Sequence, residues 1–535
     1  MYSRPMLKLF TLVLLLLAIT TSFVFSSFIS IPNIAATASP ITYSTVTPIR
    51  HVVILFQENV AFDHYFGTYP NATNPLGEPK FIANSHTPSV NGLRGSLLYS
   101  NTNAANPFRL DRTQAVTCDN NHAYTNEQKA YNGGLLDKFV QFTGSTFRGC
   151  NPKQVMGYYD GNTVTALWNY AQHYAMNDNF YGTTFGPSTP GHINLISGQT
   201  HGAIPANVKL YGTTFGPSNV KLPSTYRYDA VINGTLIANV DPKFDDCSDN
   251  TTILMKGKNI GDLLNAKGIT WGWFAGGFRL PNKSTDVKIN CNNQLNNTSA
   301  SGIQTKDYYP DIEPFQYYNS TTNPHHISPS SVALIGHTDH ANHQYDLADF
   351  WNAADSGNLP AVSFIKAATY EDGHPEISDP LEEQTFLVNT INHLERLPDW
   401  NSTAVIITWD DSDGWYDHVM PPIINQSNDP VNDALLGVGL CGHAPLGAYQ
   451  DRCGHGPRIP VLIISPYAKT NFVDHGLTDQ SSIIHFIEDN WRLGRIGNQS
   501  FDSKAGSLMN MFEFSHNMQK AQKLFLDPST GVPQK

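Results

Sequence analysis

Charge is scarce in this chain. Only 15% of its 535 residues are Asp, Glu, Lys or Arg, against roughly 25% in an average soluble domain. Cations are the scarcer sign, with 33 Lys and Arg against 45 Asp and Glu and a formal net charge of −12. That balance argues against a nucleic-acid partner, because phosphate backbones bind to basic surfaces. An anionic ligand would need local help from histidines or a metal ion. Cysteine is also sparse, and none of the six forms a CxxC pair, which argues against a zinc–thiolate centre. No tandem repeat occurs beyond one duplicated octapeptide, so a solenoid or propeller is not supported.

Long apolar runs are missing except at the N-terminus. There Arg4 and Lys8 precede an apolar stretch from Leu9 to about Ile31, and Ala36-Thr37-Ala38 offers a small-residue cleavage site. Residues 1–38 read as a secretory signal or an N-terminal membrane anchor. Either reading exports the chain. Six cysteines in an exported chain suggest disulfides. Of fifteen connectivities the simplest joins sequence neighbours, Cys118–Cys150, Cys247–Cys291 and Cys441–Cys453. Ten N-x-S/T triplets, from Asn71 to Asn498, suit an exported surface.

What is present is apolar enough to fold: 40% hydrophobic and 11% aromatic residues. Short apolar runs at 51–56, 269–275, 361–367, 404–409 and 461–465 read as buried strands. Helical patterns lie between them at 163–175, 259–268, 379–397 and 481–491. The third opens Asp379-Pro380 and carries Leu387, Val388, Ile391 and Leu394 on one stripe. The alternation predicts an α/β fold with a mostly parallel central sheet and helices on both faces. One catalytic domain is expected over 45–525. The segments 70–125, 200–250 and 280–345 are rich in Asn, Pro, Ser and Gly and read as cap insertions.

Ligands in such folds sit beyond the carboxyl ends of the strands, and polar residues gather there. The first strand runs into Glu58-Asn59, and the run 404–409 into Asp410-Asp411-Ser412-Asp413-Gly414-Trp415-Tyr416-Asp417-His418. Adjacent carboxylates repel unless a cation lies between them, and hard oxygens suit a divalent ion. The plainer reading is helix caps and an acidic turn. Histidines fall in several polar loops: His122, His325-His326, His337, His340 and His374. Converging on such a site, they would supply positive charge and protons. The octapeptide YGTTFGPS occurs at 181–188 and again at 211–218. The first copy continues into TPGHINLISG, so Ser188 could open a helix whose dipole stabilises an oxyanion. Otherwise it is an ordinary cap serine. The second copy has no such continuation and reads as an echo in a cap insertion.

Together these blocks resemble the bacterial phosphoesterase family, which holds secreted acid phosphatases and phosphatidylcholine-type phospholipases C. ENVAFDHYFG at 58–67 looks like that family's ENRSFDHYFG signature, and GPSTPGHINLISG is similar to its nucleophile segment. EDGHP, TWDDSDGWYDH and GHGPRIPVLIISPYAK resemble its later blocks, in the family's order across about residues 50–490. The resemblance implies an alkaline-phosphatase-like α/β core. It implies a divalent metal ion of unstated identity held by Glu58, Asn59, Asp410, Asp411 and Ser188. Ser188 would also be the nucleophile, passing through a phosphoserine. His122, His325, His326 and His374 would bind phosphate or donate protons, with Asp413 and His418 behind the ligands.

The chain departs from the family pattern in places. Val60-Ala61 replaces Arg-Ser, and Gly191-His192 stands where phospholipase members carry Asn-Arg. The second difference tilts the expected substrate from choline lipids toward phosphomonoesters. Added C-terminal β-domains of some phospholipase members are not expected. The implied activity is an exported phosphoric ester hydrolase acting on a phosphomonoester or a phospholipid head group, in contact with a membrane surface in the second case. Two alternatives stay open. One is a non-catalytic cell-surface glycoprotein. The other is sulfatase-type chemistry, against which Ser188-Thr189-Pro190-Gly191-His192 lacks the arginine of a C/S-x-P-x-R block.

Overall fold

Seven residues, HVVILFQ, form the central strand of the protein, His51–Gln57 (β1). Six of the seven are fully covered, which alternating patterns never achieve and a sheet packed on both faces requires. The structure is a computed structural model, and it describes residues 44–210, 213–215, 231–232, 234–277, 291–292, 302, 304–515 and 522–535. The N-terminal apolar run lies outside the described residues. Among those described, no helix is long and apolar enough to cross a membrane.

Seven further strands complete the sheet: Ala175–Asn177 (β2), Trp271–Ala275 (β3), Gln344–Asp346 (β4), Val362–Lys366 (β5), Thr403–Trp409 (β6), Val461–Ile464 (β7) and Phe472–Asp474 (β8). Their order is β4-β3-β5-β1-β6-β7-β2-β8. β1 runs parallel to both neighbours, with Val52 opposite Val362 and Ala404. Only β7 runs against its neighbours β6 and β2. The expected mostly parallel α/β sheet is therefore present. All five strands read from the sequence exist, three of them starting later or ending sooner by up to two residues. The three that were missed, β2, β4 and β8, are three residues long, too short to show a period.

The helices follow the same logic. Those of five residues or more, among the described residues, are Phe62–Phe66 (α1), Tyr124–Tyr131 (α2), Thr165–His173 (α3), Ser188–Ser197 (α4), Ile260–Lys267 (α5), Leu347–Asp355 (α6), Pro380–Leu394 (α7) and Ser481–Trp491 (α8). α7 opens on Asp379, whose side chain accepts from the Leu381 and Glu382 amides, with Pro380 at the first position. α5 carries a capping box between Asn259 and Asp262. α4 is buried along its whole length. Its Gly191 sits where a Cβ would meet the Asp410 carbonyl at 2.2 Å. Glycine is required there because the helix start presses against the chain leaving β6.

The cap insertions contain a second sheet of Asp241–Pro242, Thr252–Met255, Ala203–Leu210 and Thr213–Phe215. The second octapeptide enters this sheet at Thr213–Phe215, while Ser218 lies outside the described residues. All three sequence-neighbour disulfides form, Cys118–Cys150, Cys247–Cys291 and Cys441–Cys453.

Candidate functional site

The carboxyl ends of β1 and β6 lie side by side because Gln57 pairs with Trp409 in register. The next residues of each strand are therefore neighbours: Glu58 and Asn59 from one, Asp410 and Asp411 from the other. Asn59 takes a left-handed backbone (φ 63°), which turns its amide toward Asp410. The Asn59 N–H donates to Asp410 Oδ1 at 2.8 Å. All four residues are buried, the most exposed at 5%.

Ser188, the first residue of α4, reaches the same point. Its Oγ donates to Asp411 Oδ2 at 3.2 Å. One helical turn on, His192 Nδ1 bonds the Ser188 carbonyl at 2.9 Å. His192 Nε2 then faces Glu58 Oε1 at 3.6 Å. Glu58, His192 and Asp410 offer three ligand atoms within 4.8 Å of one another. Four buried atoms here, Glu58 Oε2, Asn59 Oδ1, Asp410 Oδ2 and His192 Nε2, take part in no hydrogen bond among the described residues. Buried polar atoms are rarely left so. A set of three oxygens and one imidazole nitrogen suits a divalent cation.

The charges are correspondingly frustrated. Burial drives Asp410 well above the usual carboxylate range, and Asp411 and Glu58 add to it. Burial also pushes Glu58 up, but Lys366, His192 and Asp410 overcome it and hold the carboxyl down at about 2. Lys366, the last residue of β5, is buried with its Nζ 2.9 Å from Glu58 Oε1 and 3.0 Å from Asp372 Oδ2. Burial, helped by the Lys366 charge, pulls His192 down to about 4 despite Glu58, so its imidazole is neutral and able to ligate. A buried Asp410 that resists ionisation beside Glu58 and a neutral imidazole is what a cation relieves.

A second layer surrounds this group. His122 Nδ1 bonds the Asn120 carbonyl at 2.9 Å and lies 3.1 Å from Asp413 Oδ1. Burial opposes its charge, yet Asp411, Asp413 and Asp119 raise it well above the ordinary histidine value. His374 Nε2 lies 3.3 Å from Asn59 Nδ2. Burial likewise opposes its charge, and Asp119, Glu58, Asp372 and Asp413 raise it to about 9. Asp413, itself pushed up by burial against the pull of His122, also receives Asn59 Nδ2 at 3.3 Å. Glu127 on α2 ties two loops together, accepting from Ser412 Oγ at 2.6 Å and from the Gly186 amide at 2.9 Å.

The structure thus brings together Glu58, Asn59, Ser188, Asp410, Asp411, Asp413, His122 and His374. Three expected residues lie elsewhere. His325 is exposed and pairs with Asp246 at 2.7 Å. His326 is buried in the cap insertion, 3.0 Å from Asp245 Oδ1, where Tyr308 also donates to Asp245. His418 bonds Asp63 at 2.5 Å in a separate ion cluster. There the buried Arg458 bridges Asp63 Oδ1 and Asp417 Oδ2, each at 3.0 Å. This cluster clamps three motif blocks together, FDHYFG, WYDH and GPRIP. Their charged residues are explained by structure rather than by metal. Sequence reasoning missed Lys366, Asp119 and Glu127, and it read His192 as a substrate determinant. The one available signal was a lysine ending the otherwise apolar strand VSFIK.

With this geometry in place, comparison with known proteins is decisive on one point. The phosphoesterase family profile matches residues 49–494.

The chain belongs to the phosphoesterase family.

Curated relatives in this family are distant. The chain is 24% identical over 459 residues to a non-hemolytic phospholipase C of Burkholderia pseudomallei, covering 83% of this chain and 55% of that protein. It is 23% identical over 488 residues to phospholipase C A of Mycobacterium tuberculosis, covering 85% of this chain and 77% of that one. The chain thus spans about half the length of the first relative. A solved structure of an alkaline phosphatase superfamily protein from Vibrio parahaemolyticus overlaps 86% of this chain and 74% of its own, at 11% identity and a TM-score of 0.30. An overlap that low carries no argument.

Proposed function

We propose that this phosphoesterase is an exported, metal-dependent phospholipase C that cleaves its substrate through a phosphoserine at Ser188. The observation that carries the reading is the Ser188 hydroxyl at a helix N-terminus, bonded to Asp411, beside buried ligand atoms that lack partners. Glu58, Asn59, Asp410, Asp411 and Ser188 would hold the metal, and His192 fits as an additional ligand. A divalent cation there supplies positive charge to the phosphate oxygens and acidifies a nearby hydroxyl.

The chain's own residues account for the remaining steps. Asp411 Oδ2 orients the Ser188 hydroxyl and takes its proton as Oγ bonds to phosphorus. The bond from phosphorus to the glycerol oxygen breaks. His122 or His374, held protonated by the surrounding carboxylates, donates the proton that releases diacylglycerol. Water then displaces the head-group phosphate from Ser188, giving a proton to the histidine that lost one, while Asp411 returns its proton to Ser188 Oγ. The amide end of α4 favours the negative charge that builds on Oγ and the phosphate.

The relatives' names favour a phospholipid. The contrary tilt from Gly191-His192 loses its force, because His192 is fully buried against Glu58 and the Ser188 carbonyl. A phosphomonoester is the second reading, since the same site accepts any phosphate ester that reaches it. Three disulfides and the N-terminal apolar run support export. Parallel assays on phosphatidylcholine and an aryl phosphate, with products identified, test the reading. Diacylglycerol with phosphocholine is expected. Free phosphate from the monoester with no lipid turnover would reassign the chain as a phosphatase.

A further inference from the structure

Between Asn425 and Gly454 the chain makes a long excursion whose outer part carries no permanently charged residue, the exposed His443 being its one basic side chain. Residues 434–450 contain no Asp, Glu, Lys or Arg, although Asp433 and Asp451 flank them. Two tight turns form its tips. In one, the Leu440 amide bonds the Gly437 carbonyl at 3.0 Å, and in the other the Ala448 amide bonds the Pro445 carbonyl at 3.0 Å. Both have a left-handed glycine at the third position, Gly439 (φ 78°) and Gly447 (φ 83°). That geometry is a type II turn, whose second residue projects outward and favours proline. Here those residues are Val438 and Leu446, which are 98% and 106% exposed. Leu436 and Val431, nearby in sequence, are more than half exposed. Lone exposed aliphatics need no explanation. Two at successive turns, on a segment without Asp, Glu, Lys or Arg, do.

The excursion is held rigidly, and its base touches the active-site loop. Asn425 and Gly454 exchange backbone hydrogen bonds of 2.8 and 3.2 Å. Cys441 is tied to Cys453. The Cys453 carbonyl then accepts from the Phe185 amide at 3.0 Å, three residues before Ser188. A disulfide-stapled, uncharged projection beside the nucleophile loop is placed to meet whatever surface presents the substrate.

We propose that Val438 and Leu446 form a wedge that docks the enzyme on an electrically neutral, zwitterionic lipid surface. The charge pattern selects that surface. A chain of net charge −12 is repelled by anionic lipid, while a neutral interface is entered by burying apolar side chains. The proposal rests on the phospholipid reading above, and the test separates the two.

Phosphatidylcholine vesicles are sedimented with the full chain carrying Ser188→Ala, which prevents turnover, and with the same chain carrying V438D and L446D as well. The two aspartates are expected to lower the partition coefficient at least about tenfold. The double variant with Ser188 intact keeps full turnover of a soluble aryl phosphate. Equal partitioning of the two Ser188→Ala proteins would overturn the proposal. So would loss of soluble-ester turnover in the double variant, because the turns would then be shaping the site. Vesicle binding that needs Val438 and Leu446 supports the wedge even if no diacylglycerol is released, an outcome that overturns only the lipid-substrate reading.

Discussion

Arg458→Met should cost this protein a large share of its stability while touching no group of the proposed chemistry. Arg458 is fully buried. Its guanidinium donates to Asp63 Oδ1 at 3.0 Å and to Asp417 Oδ2 at 3.0 and 3.1 Å. It also donates to the carbonyls of Asn91 and Asp178 at 2.8 and 2.9 Å, and stacks on Phe62 at 4.2 Å. Methionine fills similar volume but leaves two buried carboxylates, of which His418 neutralises only Asp63. Breaking a buried pair in this way costs about 3–5 kcal/mol, against a total stability of about 5–15 kcal/mol. The assay is the urea midpoint at neutral pH. Arg458→Lys keeps the charge but cannot span both carboxylates and both carbonyls, and should lose about 1–3 kcal/mol. Adding Asp63→Asn and Asp417→Asn to Arg458→Met should restore part of the loss, because no unpaired charge is then buried. A midpoint for Arg458→Met unchanged within about 0.5 kcal/mol would refute the view that this cluster is structural.

Gly191→Ala should fold but lose about a hundredfold in kcat, because its Cβ would displace the start of α4 from the Asp410 carbonyl; a wild-type kcat would contradict the close packing. His64 is buried, stacked on Trp415 at 3.8 Å, and lowered by burial to about 3. The unfolded chain therefore binds a proton below pH 6.5 that the native state refuses, so stability falls as pH drops from about 6.5 toward 3, by about 1.4 kcal/mol per unit. His64→Gln should flatten that loss in urea titrations between pH 6 and 4. Prolonged chelation should abolish ester hydrolysis and lower the thermal midpoint, since Glu58 and Asp410 are left repelling, and returning a divalent cation should restore both; full activity after exhaustive dialysis against chelator would count against the metal.

The core was legible because strands of a sheet covered on both faces write themselves as unbroken apolar runs, whichever way they run. VVILF, AVIIT and VLII could hardly be anything else once helical patterns lay between them. β2, β4 and β8 were not legible, since three residues give no period and tertiary pairing alone makes them strands. At the site, Glu58-Asn59 and Asp410-Asp411 stood out as polar residues at strand ends, and their register through Gln57 and Trp409 makes them neighbours. Lys366, Glu127 and the Glu58-facing side of His192 were hidden, because each gains meaning only from a partner far away in sequence. The histidines show the limit most clearly. Polar loops carry His122, His325, His326 and His374 alike, yet only His122 and His374 touch the carboxylate group, a matter of where the loops return to the sheet.

In the proposed reaction Ser188 carries the phosphate. It is tested by acid quenching during turnover of a phosphate ester, digestion, and mapping of the phosphorylated peptide by mass spectrometry. Phosphate is expected on Ser188 alone, absent in Ser188→Ala, with Ser218→Ala unaffected. Turnover that persists in Ser188→Ala, or phosphate trapped on any other residue, would contradict it.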